Sequence, residues 1–239
     1  MDKTHTYHEL IRFCAEPGCP ICRFVAGNVR GYLKSLFYEN VNDPETRLEL
    51  RHTRAFCFDH AWLLLDGGIG DALGTAIIYH DVLNFTAKEA AQADRDLRKR
   101  RGWQARLKGM FPRRGAHGNA VAAALRPSKP CPVCAERDTT TRLTVDVFAD
   151  ALSDEAFCQA FRAGPGLCLP HLGQVFERVS STRGYENLAD ISQAQLSSLR
   201  QELAEFIRKN DYRFRDEKIG AEGTAWRRVI GMIVGEKGK

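Results

Sequence analysis

Among the 239 residues there is no run of 18 apolar residues, so nothing in the sequence reads as a membrane-spanning helix. The N-terminal stretch MDKTHTYHELIRF has no apolar core followed by a small-residue cleavage site, so a secretory signal is not expected and the protein is read as cytoplasmic. Alternating β-branched residues, the mark of a half-buried strand, are missing as well. No nucleophile–base pair and no paired carboxylates stand out, which makes an enzyme the less favoured reading, and no small-molecule substrate is indicated. GGIGDALG, residues 67–74, resembles a dinucleotide loop only superficially, because it follows a helical pattern instead of a strand. It is read as a turn with close helix packing at Gly70 and Gly74.

What is present is ordinary in bulk and unusual in detail. At 44% hydrophobic and 27% charged, the composition is that of a globular protein. The net charge of +5 is unevenly spread. Between Arg95 and Lys129 lie eleven Lys or Arg and one acid, Asp96, so this stretch is +10 and the remainder −5. Positive charge is therefore local, and any polyanion contact belongs to a segment and not to the whole surface.

Eight cysteines in a chain read as cytoplasmic point to metal ligands or reactive thiols more than to disulfides. Six of them fall into a repeat. Cys19-Pro-Ile-Cys22 recurs as Cys131-Pro-Val-Cys134, and Cys57-Phe-Asp-His60 recurs as Cys168-Leu-Pro-His171. The first pair of motifs is offset by 112 positions and the second by 111, so a duplication with a one-residue deletion relates the halves, and Asp43 falls opposite Asp154. Each half thus carries three thiols and one imidazole, the ligand set of a closed, structural zinc. Pro20 and Pro132 suit the first position of a helix, and residues three apart at a helix start can aim both side chains at one ion. The expectation is two sites, one per half: Cys19, Cys22, Cys57 and His60 in the first, Cys131, Cys134, Cys168 and His171 in the second. Iron–sulfur clusters or a thiol–disulfide switch are the alternatives. Haem attachment is excluded, because Arg23 and Ala135 stand where C-x-x-C-H needs histidine. Cys14 and Cys158 have no counterparts and read as buried thiols.

The rest of the pattern is helical, with Phe24/Val25, Val29, Leu33, Leu36/Phe37 and Val41 recurring every three to four residues. Asp43 and Pro44 read as the start of a new helix. A long helix is expected from about Ile69 past Ala93, then a basic linker or insert over 94–130. In the second half helices are expected near 134–150, 154–163 and 169–180, then a turn at TRGYEN (residues 182–187) and a long helix from about Ala189 to Lys209. The C-terminal stretch FIRKNDYRFRDEK mixes cations and aromatics, and reads as a clasp in which arginines pair with Asp211, Asp216 and Glu217 and the aromatics are buried. Candidate anion or nucleic-acid contacts are Arg98, Lys99, Arg100, Arg101, Arg113, Arg114, Arg213 and Arg215.

The C-P-x-C and C-x-x-H pairs, LFYENVNDP, FCFDHAWLL, GLCLPHL and the block from FIRKNDYRFR to WRR together resemble a bacterial family of largely helical proteins of unknown function that carry such paired modules. The resemblance implies that the eight ligand positions and the C-terminal block are family features, and it assigns no activity. The expected architecture is all-α: a first module over 1–93, the basic 94–130 segment, and a second module over 131–239. Two zinc ions would stabilise it, and the favoured role is a binding or adaptor protein for a protein or nucleic-acid partner. An enzyme with a pocket between the modules, around Tyr79, His80 and Tyr212, is the least supported alternative.

Overall fold

The computed structural model of the chain describes residues 2–106, 116–214 and 216–236. Among them are eleven α-helices and no strand. No helix among the described residues is long and apolar enough to cross a membrane. The repeat is visible in the element order. α2 (Pro20–Glu39), α3 (Pro44–Thr53), α4 (Phe58–Asp66) and α5 (Ala72–Arg106) correspond to α7 (Pro132–Ala151), α8 (Glu155–Ala163), α9 (Leu169–Arg178) and α10 (Thr182–Lys209). α1 (Lys3–Cys14) precedes the first set, α6 (Ala116–Leu125) links the two, and α11 (Ala225–Val234) closes the chain.

Local sequence explains the helix starts. Asp43 accepts a hydrogen bond from the Thr46 backbone N–H at 2.7 Å, and its repeat partner Asp154 accepts from Phe157 N–H at 3.1 Å. Both are N-caps, each satisfying a backbone donor that the helix cannot. Asp71 caps α5 in the same way through Gly74 N–H at 2.7 Å. Gly70 and Gly74 leave room for the Phe37 ring: a Cβ at Gly74 would stand 3.3 Å from Phe37 Cδ1. The close helix packing expected of GGIGDALG is thus found.

The chain divides into two compact units, but not in sequence order. One comprises residues 1–28 with 137–239; the other is the continuous stretch 29–136. In the first, α1 packs on α8, and α10 packs on α8 and α11. Its core holds Leu10, Ile21, Leu152, Val175, Leu188 and three phenylalanines. Phe148 meets Phe157 and Phe161 edge-on, with ring centroids 4.9 and 5.1 Å away. In the second unit α5 packs on α3 and α6 over Leu33, Leu50, Phe56, Leu64 and Ile78.

The modules expected over 1–93 and 131–239 follow the sequence repeat, whereas the compact units divide inside α2 and α7. In the basic stretch, expected as a linker or insert, the described residues are largely helical: α5 continues to Arg106, and α6 lies along α5. Arginine, lysine, leucine and alanine are good helix formers, and the single Gly102 costs only about 1 kcal/mol against them. Beyond α6, Ser128 N–H donates to the His52 carbonyl at 2.8 Å, tying the loop before Cys131 to α3. Finally, TRGYEN is the first turns of α10 and not a loop, because Ser181 caps the helix by accepting from Gly184 N–H at 3.0 Å.

Candidate metal centres

The four motifs occupy one local geometry. Cys19, Cys57, Cys131 and Cys168 each directly precede a helix, and their carbonyls accept the first helical hydrogen bonds, from Arg23, Ala61, Ala135 and Leu172 N–H at 2.8–3.1 Å. Cys22, His60, Cys134 and His171 sit three positions further on, within the first turn. Cap and third-position side chains project from the same end of a helix, so each motif presents two ligand atoms in front of a helix N-terminus. Thiolates also gain there from the positive end of the helix dipole.

The motifs converge in two groups of four, each with all ligand atoms within 4.8 Å of one another. The grouping crosses the repeat. Site 1 is Cys19, Cys22, Cys168 and His171; site 2 is Cys57, His60, Cys131 and Cys134. The expected pairing of each C-P-x-C with the C-x-x-H of its own half is therefore overturned, while all eight residues are the expected ones. Helix lengths supply the reason. α2 has 20 residues and covers about 30 Å, whereas α3 has 10 and returns about 15 Å of that. The left-handed turn at Arg54 and Ala55 then leads straight into Cys57, so the C-x-x-H is delivered well short of its own C-P-x-C. In the second half α7 has 20 residues and α8 only 9, the same shortfall.

The edges of the two groups test what they fit. With Zn–S of about 2.3 Å and Zn–N of about 2.05 Å, a tetrahedral centre has S···S edges of about 3.8 Å and S···N edges of about 3.5 Å. In site 1, Cys22 Sγ lies 3.7 Å from Cys168 Sγ, and His171 Nδ1 lies 3.5, 3.4 and 3.2 Å from Cys19, Cys22 and Cys168 Sγ. In site 2, Cys57 and Cys134 Sγ are 3.6 Å apart, and His60 Nδ1 is 3.1, 3.7 and 3.4 Å from Cys57, Cys131 and Cys134 Sγ. These edges suit a single ion among three sulfurs and one nitrogen, and each group could hold a metal ion.

Proton affinities follow from the crowding of thiols. In site 1 the Cys168 thiol is lowered to about 3 by hydrogen bonds from the Cys19 and Cys22 thiols, while burial first of all pushes Cys19 up. In site 2 burial, then the hydrogen bond with Cys57, raises Cys134 to about 12. An ion entering either group must displace these protons, which makes its affinity depend on pH. The surroundings differ. Tyr32 and Tyr79 lie near site 2, each with its hydroxyl pKa raised by burial first and by the sulfurs among its negative neighbours. Site 1 is touched by the chain end, where Glu236 N–H points to Cys22 Sγ at 3.5 Å.

The two remaining cysteines stand apart from both groups. Cys14 is buried and its thiol is pushed up to about 12 by that burial. Cys158 donates its thiol hydrogen to the Leu152 carbonyl at 3.2 Å. His80 is an exposed residue of α5 hydrogen-bonded to Asn84.

The expected anion contacts are spread over both units. Arg98 and Lys99 are exposed on α5, Arg98 paired with Asp94 at 2.8 Å; Arg100 and Arg101 follow on the same helix. Arg213 is held by Asp211 at 2.7 Å. Arg113, Arg114 and Arg215 lie outside the described residues. The C-terminal clasp exists as charge pairing: Arg208 binds Glu205 and Glu217, Lys209 binds Glu222 at 2.8 Å, and Arg228 binds Glu202. Its aromatics are not buried as expected, since Tyr212 is 82% exposed and Phe214 is half-buried. Glu205 pairs with Arg208 one turn away on α10 itself, whereas Glu222 and Glu202 reach Lys209 and Arg228 across packed elements.

An all-helical chain with two Cys3His groups, each able to hold a metal ion, is the class that fold and site define. The chain belongs to the family of unknown function DUF6062, whose model matches residues 11–239. Comparison with curated proteins and with solved structures finds no match.

Proposed function

We propose that this protein is a helical binding module stapled by two structural zinc ions, with Cys19, Cys22, Cys168 and His171 holding one and Cys57, His60, Cys131 and Cys134 the other. The observation that carries the reading is the closeness of the ligand atoms: all four in each group lie within 4.8 Å of one another, and four of the six edges measure 3.1–3.7 Å, which suits one tetrahedral ion each. An iron–sulfur cluster spreads its thiolates over separate iron atoms, so three sulfurs gathered within 4.8 Å speak against it. Four protein ligands leave no position for water or substrate, and a closed zinc supports folding in place of catalysis. When bound, the ion neutralises most of the thiolate charge and fixes two helix N-termini against each other.

The partner reading rests on α5. Its far end carries Arg95, Arg98, Lys99, Arg100 and Arg101 within two turns, against Asp94 and Asp96. That surplus suits a polyanion, either nucleic acid or an acidic protein segment. Arg213 is the weaker candidate because Asp211 already neutralises it. Metal analysis and an ultraviolet–visible spectrum on protein purified without oxygen test the staple: about two zinc per chain and no visible band are expected. Iron with sulfide, or metal-free folded protein, would overturn it. For the partner, replacing Arg98, Lys99, Arg100 and Arg101 by Gln is expected to abolish salt-dependent retention on DNA or on a polyglutamate matrix without changing metal content. Retention unchanged on both would remove α5 as the contact.

A further inference from the structure

The chain does not end at α11. Val234 is followed by Gly235, whose backbone (φ 85°, ψ 171°) lies in a region that side chains rarely adopt. That turn lays the next peptide over site 1. A Cβ built on Gly235 would stand 3.6 Å from both Cys22 Sγ and Cys168 Sγ. Glu236 N–H points at Cys22 Sγ from 3.5 Å. The Glu236 carboxylate then folds back on Gly18, one residue before Cys19: a Cβ there would come within 2.2–2.8 Å of the carboxylate atoms. α11 itself packs on α9, the helix that starts with Cys168 and His171. The chain end therefore touches both C-P-x-C and C-x-x-H contributions to the same site.

We propose that Gly235 and Glu236 form an outer strap of site 1 that sets how fast its metal and its Cys22 sulfur meet chelators and electrophiles. This deepens the zinc reading of site 1 and rests on it. A centre with three thiolates and one imidazole around a divalent ion keeps a net negative charge on its sulfurs. A backbone donor aimed at one of them stabilises the sulfur as ligand and weakens it as a nucleophile. A Cβ at Gly235 would lie 3.6 Å from Cys22 Sγ and Cys168 Sγ, so the peptide adds bulk directly beside both sulfurs. Glycine is needed at 235 because only its backbone turns the chain inward there; Glu236 anchors the turn at Gly18.

The test compares full-length zinc-loaded wild type with Glu236→Pro, which removes the N–H, Gly235→Ala, which is strained at that φ, and Glu236→Ala, which keeps the N–H. Zinc content is measured first by mass spectrometry. Alkylation rates are then read for each cysteine by peptide mapping in the presence of a chelator, with Cys57 and Cys134 of site 2 as the internal reference. Glu236→Pro and Gly235→Ala are expected to speed labelling of Cys22 and Cys168 by about tenfold while site 2 is unchanged, with a smaller effect in Glu236→Ala. Unchanged Cys22 rates in both of the first two variants, or equal acceleration at both sites, would overturn the strap. Wild type holding no zinc would instead overturn the metal reading, so the two failures are distinguishable.

Discussion

Site 1 and site 2 are built from the same two motifs yet differ in what encloses them. Site 2 lies within the continuous stretch 29–136, with Tyr32 and Tyr79 beside its sulfurs. Site 1 joins residues 19–22 to 168–171 and is approached by the last described residues, Gly235 and Glu236. Duplication thus copied the ligands and left the surroundings free to diverge. Each repeat gives its C-P-x-C to one site and its C-x-x-H to the other. That reciprocal exchange is the pattern expected where two equivalent pieces meet through the same surfaces.

Breaking one site at a time is the strongest way to probe this difference. Structural zinc contributes an apparent 10–16 kcal/mol in small metal-folded domains, so loss of one ligand is expected to remove several kcal/mol from its own unit. With crossed sites, Cys168→Ser exposes amides of α1 and of 137–236 to hydrogen exchange and spares 29–136; Cys57→Ser does the reverse. Protection of α1 surviving in Cys168→Ser would contradict the crossed pairing, because Cys19 and Cys22 would then be served from elsewhere.

A second break cuts the chain instead of a site. A protease site placed within 107–115 separates the two repeats covalently, yet each proposed ion is held by ligands from both sides of the cut. The cleaved protein is expected to migrate as one species in gel filtration and to dissociate or unfold on adding a strong chelator. Pairing within repeats predicts no such dependence of cohesion on metal.

Smaller perturbations sharpen the contrast. Glu222 is held well below the usual carboxylate range, at about 2, first by Lys209 and then by the Gly220 N–H. A depressed carboxylate pKa means that this stabilisation is present above the unfolded value and fades as pH falls towards 2. At neutral pH, Glu222→Gln is expected to speed hydrogen exchange over 221–234 and to raise the labelling of Cys22 slightly, with no change at site 2. Unaltered exchange there would show that the clasp does not hold α11. The smallest effect is expected from Cys14→Ala, about 1 kcal/mol for removing a small buried group, with the zinc-to-protein ratio unchanged. A fall in that ratio would make Cys14 a ligand.

Much of this was legible in the residues. The repeat, the eight ligand positions, the Asp43 cap with its counterpart Asp154, and the Gly70/Gly74 contact all follow from short-range chemistry. The crossing did not, because two copies of one motif pair offer two pairings with the same ligands, and spacing along the chain favours the wrong one. The discriminating signal was present in the unequal helices: a 10-residue helix after a 20-residue one leaves about 15 Å that only fully extended connecting residues could cover to reach Cys22. The helix through Arg95–Arg106 was hidden behind Gly102 and the glycines and prolines that follow it. Glu222 reaches Lys209 and Glu202 reaches Arg228 from packed neighbouring elements, 13 and 26 positions away, which no local pattern reveals.

The nesting of one site inside the other has a consequence for biosynthesis. Site 2 closes a loop of 77 residues between Cys57 and Cys134, and site 1 one of 146 between Cys22 and Cys168. Doubling a loop costs only about 0.6 kcal/mol of closure entropy, so thermodynamics hardly ranks the two. The ribosome does. Synthesis is vectorial, at about 5–20 residues per second, and everything site 2 needs has emerged before the first residue of the C-x-x-H that site 1 requires. Cys19 and Cys22, the earliest of the eight ligands to be made, are the last to be matched, and the peptide that lies against them emerges later still.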